Sequence, residues 1–414
     1  MMTKKIQLLA SIATILLLIS NVACANQKEF PKAPQYYPHP SGHFPITASY
    51  AFYHPYMTDQ QMEWVKEAGF NNISKILSYE DTDSLIRLAS KHGITVLVGN
   101  FNMRDTTNTR QGVTIYKDTP AVWGFMAFDE PGASKFPYLK VLENKMNRYA
   151  PGKIRFFNLL PAVSAKNLET SDYRTYLEDF VETVNPPFLS VDIYPVKTNN
   201  KGEIYVEPIL YKTMEVIRNV SEESNRPFWS YILSNKHWNY PKPTREYLRF
   251  AVFTALAYGA QGLTYYSYVM PDFDKGKGEY SDAPIDWDGK RTDVWYMVRD
   301  INKEVHNLED VFLGTKVIDI SQTGSTIPEG TKRLATLPEP FGIIESNGIG
   351  LTVSHLRNKD QDYLVIVNRD VQKKQKVYLS NSRSVTRLYG NGKEKDYKGK
   401  SFTLDPGGYA IFKF

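Results

Sequence analysis

From Phe44 onward the chain alternates between two hydrophobic periods, and it does so eight times. Short apolar runs rich in β-branched and aromatic residues, at 46–53, 72–77, 94–101, 122–128, 154–159, 188–193, 228–233 and 262–268, read as strands. Amphipathic stretches of helical period follow them at 59–68, 81–92, 138–149, 173–184, 208–223, 245–258 and 293–308, and only the connection at 104–119 is weakly patterned. Gly69, Gly93, Gly152 and Gly259 each close such a stretch, where a left-handed residue ends a helix. Strands alternating with helices imply a parallel sheet, and eight repeats imply closure, so the expected fold is α/β, a (β/α)8 TIM barrel over 44–310. A dinucleotide-binding sheet is disfavoured, because His54-Pro55-Tyr56 follows the first strand in place of a glycine-rich phosphate loop. No cofactor is expected.

Past residue 310 the helical period vanishes. Short strands are predicted at 349–356, 362–367, 376–379, 385–388, 401–404 and 409–414, separated by turn signals such as Asn391-Gly392 and Pro406-Gly407-Gly408. Residues 311–414 therefore read as an antiparallel β-sandwich, expected to be a structural appendage of the barrel rather than a sugar-binding module.

The first 25 residues read as an export signal: Lys4 and Lys5 precede an apolar run at 6–19 that is too short to span a bilayer. Two processing routes fit. Ala23-Cys24-Ala25 matches a small-residue cleavage site, whereas Val22-Ala23-Cys24 resembles a bacterial lipobox in which Cys24 is lipidated. Cys24 is the only cysteine in the chain, which favours lipidation and leaves no disulfide or cysteine-based metal site. The expected location is the cell envelope, with membrane contact only through that anchor. Residues 26–43 read as a linker. The formal charge of +5 is spread along the chain with no dense basic block, so nucleic acid is not an expected partner.

Barrel enzymes place their chemistry at the C-terminal tips of the strands. The fourth strand is apolar until Asp129-Glu130-Pro131, where two acids appear together. Cleavage of a glycosidic bond needs a carboxylic acid to protonate the leaving oxygen and a second carboxyl group on the other face of the sugar. Glu130 is the candidate acid, and Asp129 a candidate to orient it or to bind a hydroxyl; the structural alternative is that both acids open the next helix. Asp192, alone in an otherwise apolar sixth strand, is a candidate second carboxylate or sugar ligand, the alternative being a structural ion pair. Tyr53, His54, Asn100, Asn158, Tyr194, Tyr231, Trp238, Tyr266 and Tyr268 cluster at strand ends and offer aromatic faces and hydroxyl-binding groups for a sugar. The seven His residues form no spaced metal motif.

These residues resemble the clan of (β/α)8 glycosidases that contains the family 42 β-galactosidases, and in particular glycoside hydrolases of gut and environmental Bacteroidetes. The similarity runs from about the third strand to the last helix. It rests on Trp123-Gly124 through Asp129-Glu130-Pro131, on Asp192-Ile193-Tyr194-Pro195, on Ala255 to Gly262 leading into the Tyr-rich eighth strand, and on Asp288 to Thr292. The resemblance implies that Glu130 is the acid/base. It also implies a Glu nucleophile at the tip of strand seven, yet Phe228 to Ser234 contains no acid, and Asp129 stands where the clan has Asn. Asp192, or the loop acids Glu80, Asp272, Asp274 and Glu279, are the candidates for that second role. The expected activity is hydrolysis of an extracellular glycan, and the rival expectation is a glycan-binding lipoprotein without catalysis.

Overall fold

The computed structural model describes residues 29–53, 56–76, 79–99 and 101–414. Eight short parallel strands form one sheet: β1 (Ile46–Ser49), β2 (Asn72–Ile76), β3 (Thr95–Gly99), β4 (Val122–Asp129), β5 (Ile154–Asn158), β6 (Leu189–Val191), β7 (Phe228–Leu233) and β8 (Leu263–Tyr266). Neighbours pair in parallel register from β5 through β1 to β8, β7 and β6. The ring closes where Leu159, just past β5, bridges Val191 of β6 and its N–H donates to Ser190 O at 2.8 Å. All residues of β1, β3 and β5 are buried, as expected of strands covered on both faces.

Eight helices form the outer layer: α1 (Asp59–Glu67), α2 (Tyr79–His92), α3 (Thr109–Thr114), α4 (Phe136–Tyr149), α5 (Tyr173–Thr183), α6 (Ile209–Glu223), α7 (Arg245–Ala257) and α8 (Asp293–Asn307). Their starts are chemically specified: Thr58, Asp172, Thr244 and Thr292 each accept a backbone N–H of the first turn. Gly69 shows why one stop is fixed. Its φ is 80°, and a Cβ there would lie 2.9 Å from Asn302 Cβ, where α8 packs against α1 and the Asn302 amide donates to Ala68 O. The weakly patterned third connection is two short helices, Phe101–Arg104 and α3, which is too little length for a sustained period. Two antiparallel ribbons rise from the rim: Val196–Thr198 pairs with Ile204–Val206, and Lys236–His237 pairs with Tyr280–Ser281.

The segment read as a linker is, from residue 29, packed against the barrel. Tyr36 meets Phe188 edge-on at 5.8 Å, Trp123 Nε1 donates to Tyr37 O at 3.3 Å, and His39 Nε2 lies 2.8 Å from Thr95 Oγ1. These partners lie at the starts of β3, β4 and β6, so the segment covers the floor of the ring, where apolar side chains would otherwise meet water.

The C-terminal part is a sandwich. Its strands are β9 (Lys316–Gln322), β10 (Phe341–Ser346), β11 (Leu351–Asn358), β12 (Gln361–Asn368), β13 (Gln375–Asn381), β14 (Val385–Leu388), β15 (Glu394–Tyr397), β16 (Lys400–Leu404) and β17 (Tyr409–Lys413). One sheet runs β9-β11-β12-β17-β14-β15 and the other β10-β13-β16, all antiparallel. Val353, Leu364, Val377, Leu379, Leu404 and Phe412 fill the space between them. The larger sheet rests on α7: Phe253 and Tyr409 stack at 3.5 Å, and Ser354 Oγ donates to Ala257 O at 2.8 Å.

Candidate active site

The strand tips and the two ribbons enclose a cavity of about 790 Å³, a size that takes a small sugar chain. Its wall contains Asp129, Glu130, Asn158, Asp192, Tyr194, Tyr231, Trp238 and Tyr266 from among the residues singled out in the sequence.

Local backbone geometry aims the paired acids. The β4–β5 register shifts between Met126 and Phe128, a bulge that re-aims the strand end. Glu130 then adopts φ 45°, and its N–H donates to Asn158 O at 2.9 Å. A non-glycine residue in the left-handed region costs on the order of 1–3 kcal/mol, so the surrounding hydrogen bonds must hold it there. Both acids therefore project into the mouth instead of opening α4, which begins at Phe136 after a separate turn at Ala133–Lys135.

Asp192 follows β6 and faces the same point. Its carboxyl stands beside the Glu130 carboxyl, while its Oδ1 is shielded from solvent and has no hydrogen-bond partner among the described residues. Two carboxyl groups can bond to each other only when one carries a proton. Burial, then the Glu130 charge and hydrogen bond, hold Asp192 protonated well above the ordinary carboxylate range. No ion pair involves Asp192 among the described residues, so the structural alternative for it is absent there. Asp129 is exposed at the strand tip, yet the protein packed around the mouth desolvates it and pushes its pKa up. Asn158 Nδ2 donates to its Oδ1 at 3.0 Å and opposes that shift, and Ser190 Oγ lies 3.3 Å from Asn158 Oδ1 behind it.

Lys75, Tyr50 and Arg104 are among the cavity residues that escaped sequence reasoning. Lys75 is a lone cation within β2; its side chain is 5% exposed, its Nζ sits 3.2 Å from the centre of the Tyr50 ring, and burial pulls its pKa down to about 8. Tyr50, just past β1, donates its hydroxyl to Asp272 Oδ1 at 2.8 Å. Arg104, from the short helix after β3, faces Asp129 from behind the Phe128 ring, with Nε and Nη2 shielded and without a hydrogen-bond partner among the described residues. An isolated Lys inside an apolar strand was the one visible signal; Tyr50 and Arg104 carried none.

The aromatic residues divide. Tyr194 and Tyr266 face each other in near-parallel planes at 6.4 Å. Trp238 stands on the rim, 71% exposed, at φ 46°. It is carried by His237, whose ring stacks on Tyr280 at 4.6 Å and whose pKa burial pulls down to about 4. Tyr268 is not in the mouth: it is fully buried beside Phe52 and Phe70 and accepts from Trp295 Nε1 at 3.1 Å. β8 ends at Tyr266, so the alternation that would have turned Tyr268 inward stops before it. Tyr53 also leaves the cavity wall, its hydroxyl donating to Met270 O at 2.9 Å. His54, Asn100 and Cys24 lie outside the described residues. Among the described residues no group of three or more His, Cys, Asp or Glu side chains converges as a metal site.

An eight-stranded barrel with a C-terminal sandwich is a fold shared with known proteins. No family model matches the sequence, and no curated protein matches it. Solved structures do resemble the fold. A glycoside hydrolase family 5 protein from Bacteroides vulgatus aligns over 92% of this chain and 91% of its own, with TM-score 0.60 and 13% identity. Another glycoside hydrolase aligns over 93% and 95%, with TM-score 0.58 and 12% identity. A family 39 glycoside hydrolase from Bacteroides cellulosilyticus aligns over 89% and 80%, with TM-score 0.55 and 11% identity. At these identities the likeness is one of fold. It extends to glycoside hydrolases of several families and does not single out the family 42 clan.

Proposed function

We propose that this protein hydrolyses O-glycosidic bonds of an extracellular poly- or oligosaccharide, with Glu130 as general acid/base and Asp192 as the partner with which it shares a proton. The carrying observation is the contact between these two carboxyl groups at the bottom of an aromatic cavity. Asp192 is held neutral there, so the pair keeps a proton available beside the site where a leaving oxygen would sit. The fold likeness to glycoside hydrolases and the export signal expected at 1–25 support the same reading. In it the chain is envelope-bound, through Cys24 where that residue is lipidated.

The rival reading, glycan binding without cleavage, draws on the acid-free tip of β7. It leaves unexplained why two carboxyl groups stand together with no ion pair among the described residues, an arrangement that costs stability. The test is Glu130→Gln against a panel of p-nitrophenyl glycosides and soluble xylan, glucan and galactan. The variant is expected to fold normally and to lose about 10³-fold or more in kcat/KM. Turnover equal to wild type removes Glu130 from the chemistry.

A further inference from the structure

Glycoside hydrolysis needs a second carboxyl group across the sugar, and Asp192 is not placed to be it. It touches Glu130 itself, whereas acid and partner stand about 5–5.5 Å apart in retaining enzymes and about 6.5–9.5 Å apart in inverting ones. The remaining acids sort by what already holds them. Asp274 is fully buried and accepts the backbone N–H groups of Glu279 and Tyr280, which makes it a loop brace. Glu80 and Glu279 are off the cavity wall. Glu207 is on the wall but is ion-paired to Lys197 at 2.9 Å within its own ribbon.

Asp272 is different. It lines the same cavity, on the loop that follows β8. Strands β4 and β8 are four places apart in the ring, so Asp272 enters from the side opposite Glu130. Its Oδ1 takes three contacts: the Tyr50 hydroxyl at 2.8 Å, the Phe273 N–H at 3.1 Å and Lys75 Nζ at 3.5 Å. Oδ2 takes none among the described residues, and the side chain is 44% exposed. One oxygen is thus anchored by three donors, and the other is open to the cavity. That is the arrangement a general base needs.

We propose that Asp272 is the second catalytic carboxylate: a general base that activates water on the face of the sugar away from Glu130, so that hydrolysis inverts the anomeric carbon. The assignment rests on the glycosidase reading above. Glu130 passes the proton it shares with Asp192 to the glycosidic oxygen as the C1–O bond breaks. Water forms the new C1–O bond and gives a proton to Asp272. The proton Asp272 gains equals the one Glu130 lost, and solvent exchange resets both.

The experiment uses the full chain and the same glycoside and polysaccharide panel. Wild type is expected to release product of inverted configuration by time-resolved proton NMR. Asp272→Asn is expected to lose about 10³-fold in kcat. Asp272→Ala in the presence of azide is expected to regain turnover and form a glycosyl azide of inverted configuration, a rescue that a misfolded variant cannot give. Retained product, or full activity of Asp272→Asn beside an inactive Glu130→Gln, overturns this assignment and leaves the glycosidase reading standing. No cleavage of any panel member by wild type overturns both.

Discussion

The two sides of the cavity handle charge in opposite ways. On the β4–β6 side, Asp129, Glu130 and Asp192 crowd together; burial and mutual repulsion push protons onto Asp129 and Asp192, and the nearest cation, Arg104, makes no ion pair with them among the described residues. On the β8–β1–β2 side a single carboxylate, Asp272, meets a buried lysine and a tyrosine hydroxyl. One wall crowds acids together, and the other surrounds a single acid with donors. A sugar between them would find an acid on one face and a base on the other, although every acid concerned is an ordinary Asp or Glu. The difference lies in burial and partners, not in residue type.

The strongest way to break this contrast, beyond the Glu130 and Asp272 variants, is to remove the shared proton. Asp192→Asn leaves an amide that can still donate to Glu130 but cannot exchange a proton with it. Activity is expected to fall by about 10²-fold, with a narrower pH profile, measured as kcat/KM against pH. Stability should move the other way. The folded pKa of Asp192 is raised above its unfolded value, so its contribution is fully present below the unfolded pKa and is lost as pH rises through the folded one. The variant does not titrate. Its melting temperature should therefore gain on wild type as pH climbs from about 4. A constant difference across pH would show that Asp192 is ionised in the folded protein.

Lys75 tests the opposite wall. Its pKa falls from 10.5 to about 8 on folding, mainly through burial. The folded chain then binds fewer protons than the unfolded chain between those values, so the cost of the buried charge is present below about 8 and fades as pH rises toward 10.5. Lys75→Met is expected to stabilise the fold at pH 7 by roughly 1–3 kcal/mol in chemical denaturation, with the gain shrinking above pH 8. Activity should drop about tenfold or more, because Asp272 loses its cationic neighbour. A variant both less stable and fully active would assign Lys75 to packing.

How much of this was legible beforehand follows from what each feature depends on. The barrel was legible because its cause is local: residues such as Ile154 to Asn158 carry an apolar run, and Thr244 and Gly259 bracket a helix, whatever the rest of the chain does. The Asp129-Glu130 tip was visible because two acids break an apolar strand. The contact of Asp192 with Glu130 was not visible, since it depends on how far apart two strand tips end up in a closed ring. Asp272 was legible only as one of four loop acids, and Lys75 and Tyr50, from two other elements, give it meaning only once they are beside it. Tyr268 was misplaced for the complementary reason, a strand extended two residues past its end. Strands such as β15, with three exposed residues of four, lack the burial contrast that a periodicity argument needs.

The smallest effect expected is at the rim, where the two walls meet the solvent. Trp238 is a large aromatic side chain left 71% exposed, held at a positive φ by a ribbon whose His237 is clamped on Tyr280. A bulky residue in that conformation is strained, and an exposed indole buries no core, so neither packing nor local preference accounts for its placement. A flat apolar face beside a sugar cavity is suited to stacking on the ring of a sugar bound outside the cleavage point. Trp238→Ala is accordingly expected to raise KM for a polysaccharide by about tenfold, equivalent to about 1.4 kcal/mol, while kcat on a p-nitrophenyl monoglycoside stays at the wild-type value. Because the two substrates share the acid and base walls and differ only in reach, an equal loss on both would place Trp238 in shaping the cavity itself, and no loss on either would leave its exposure without a role in the reaction.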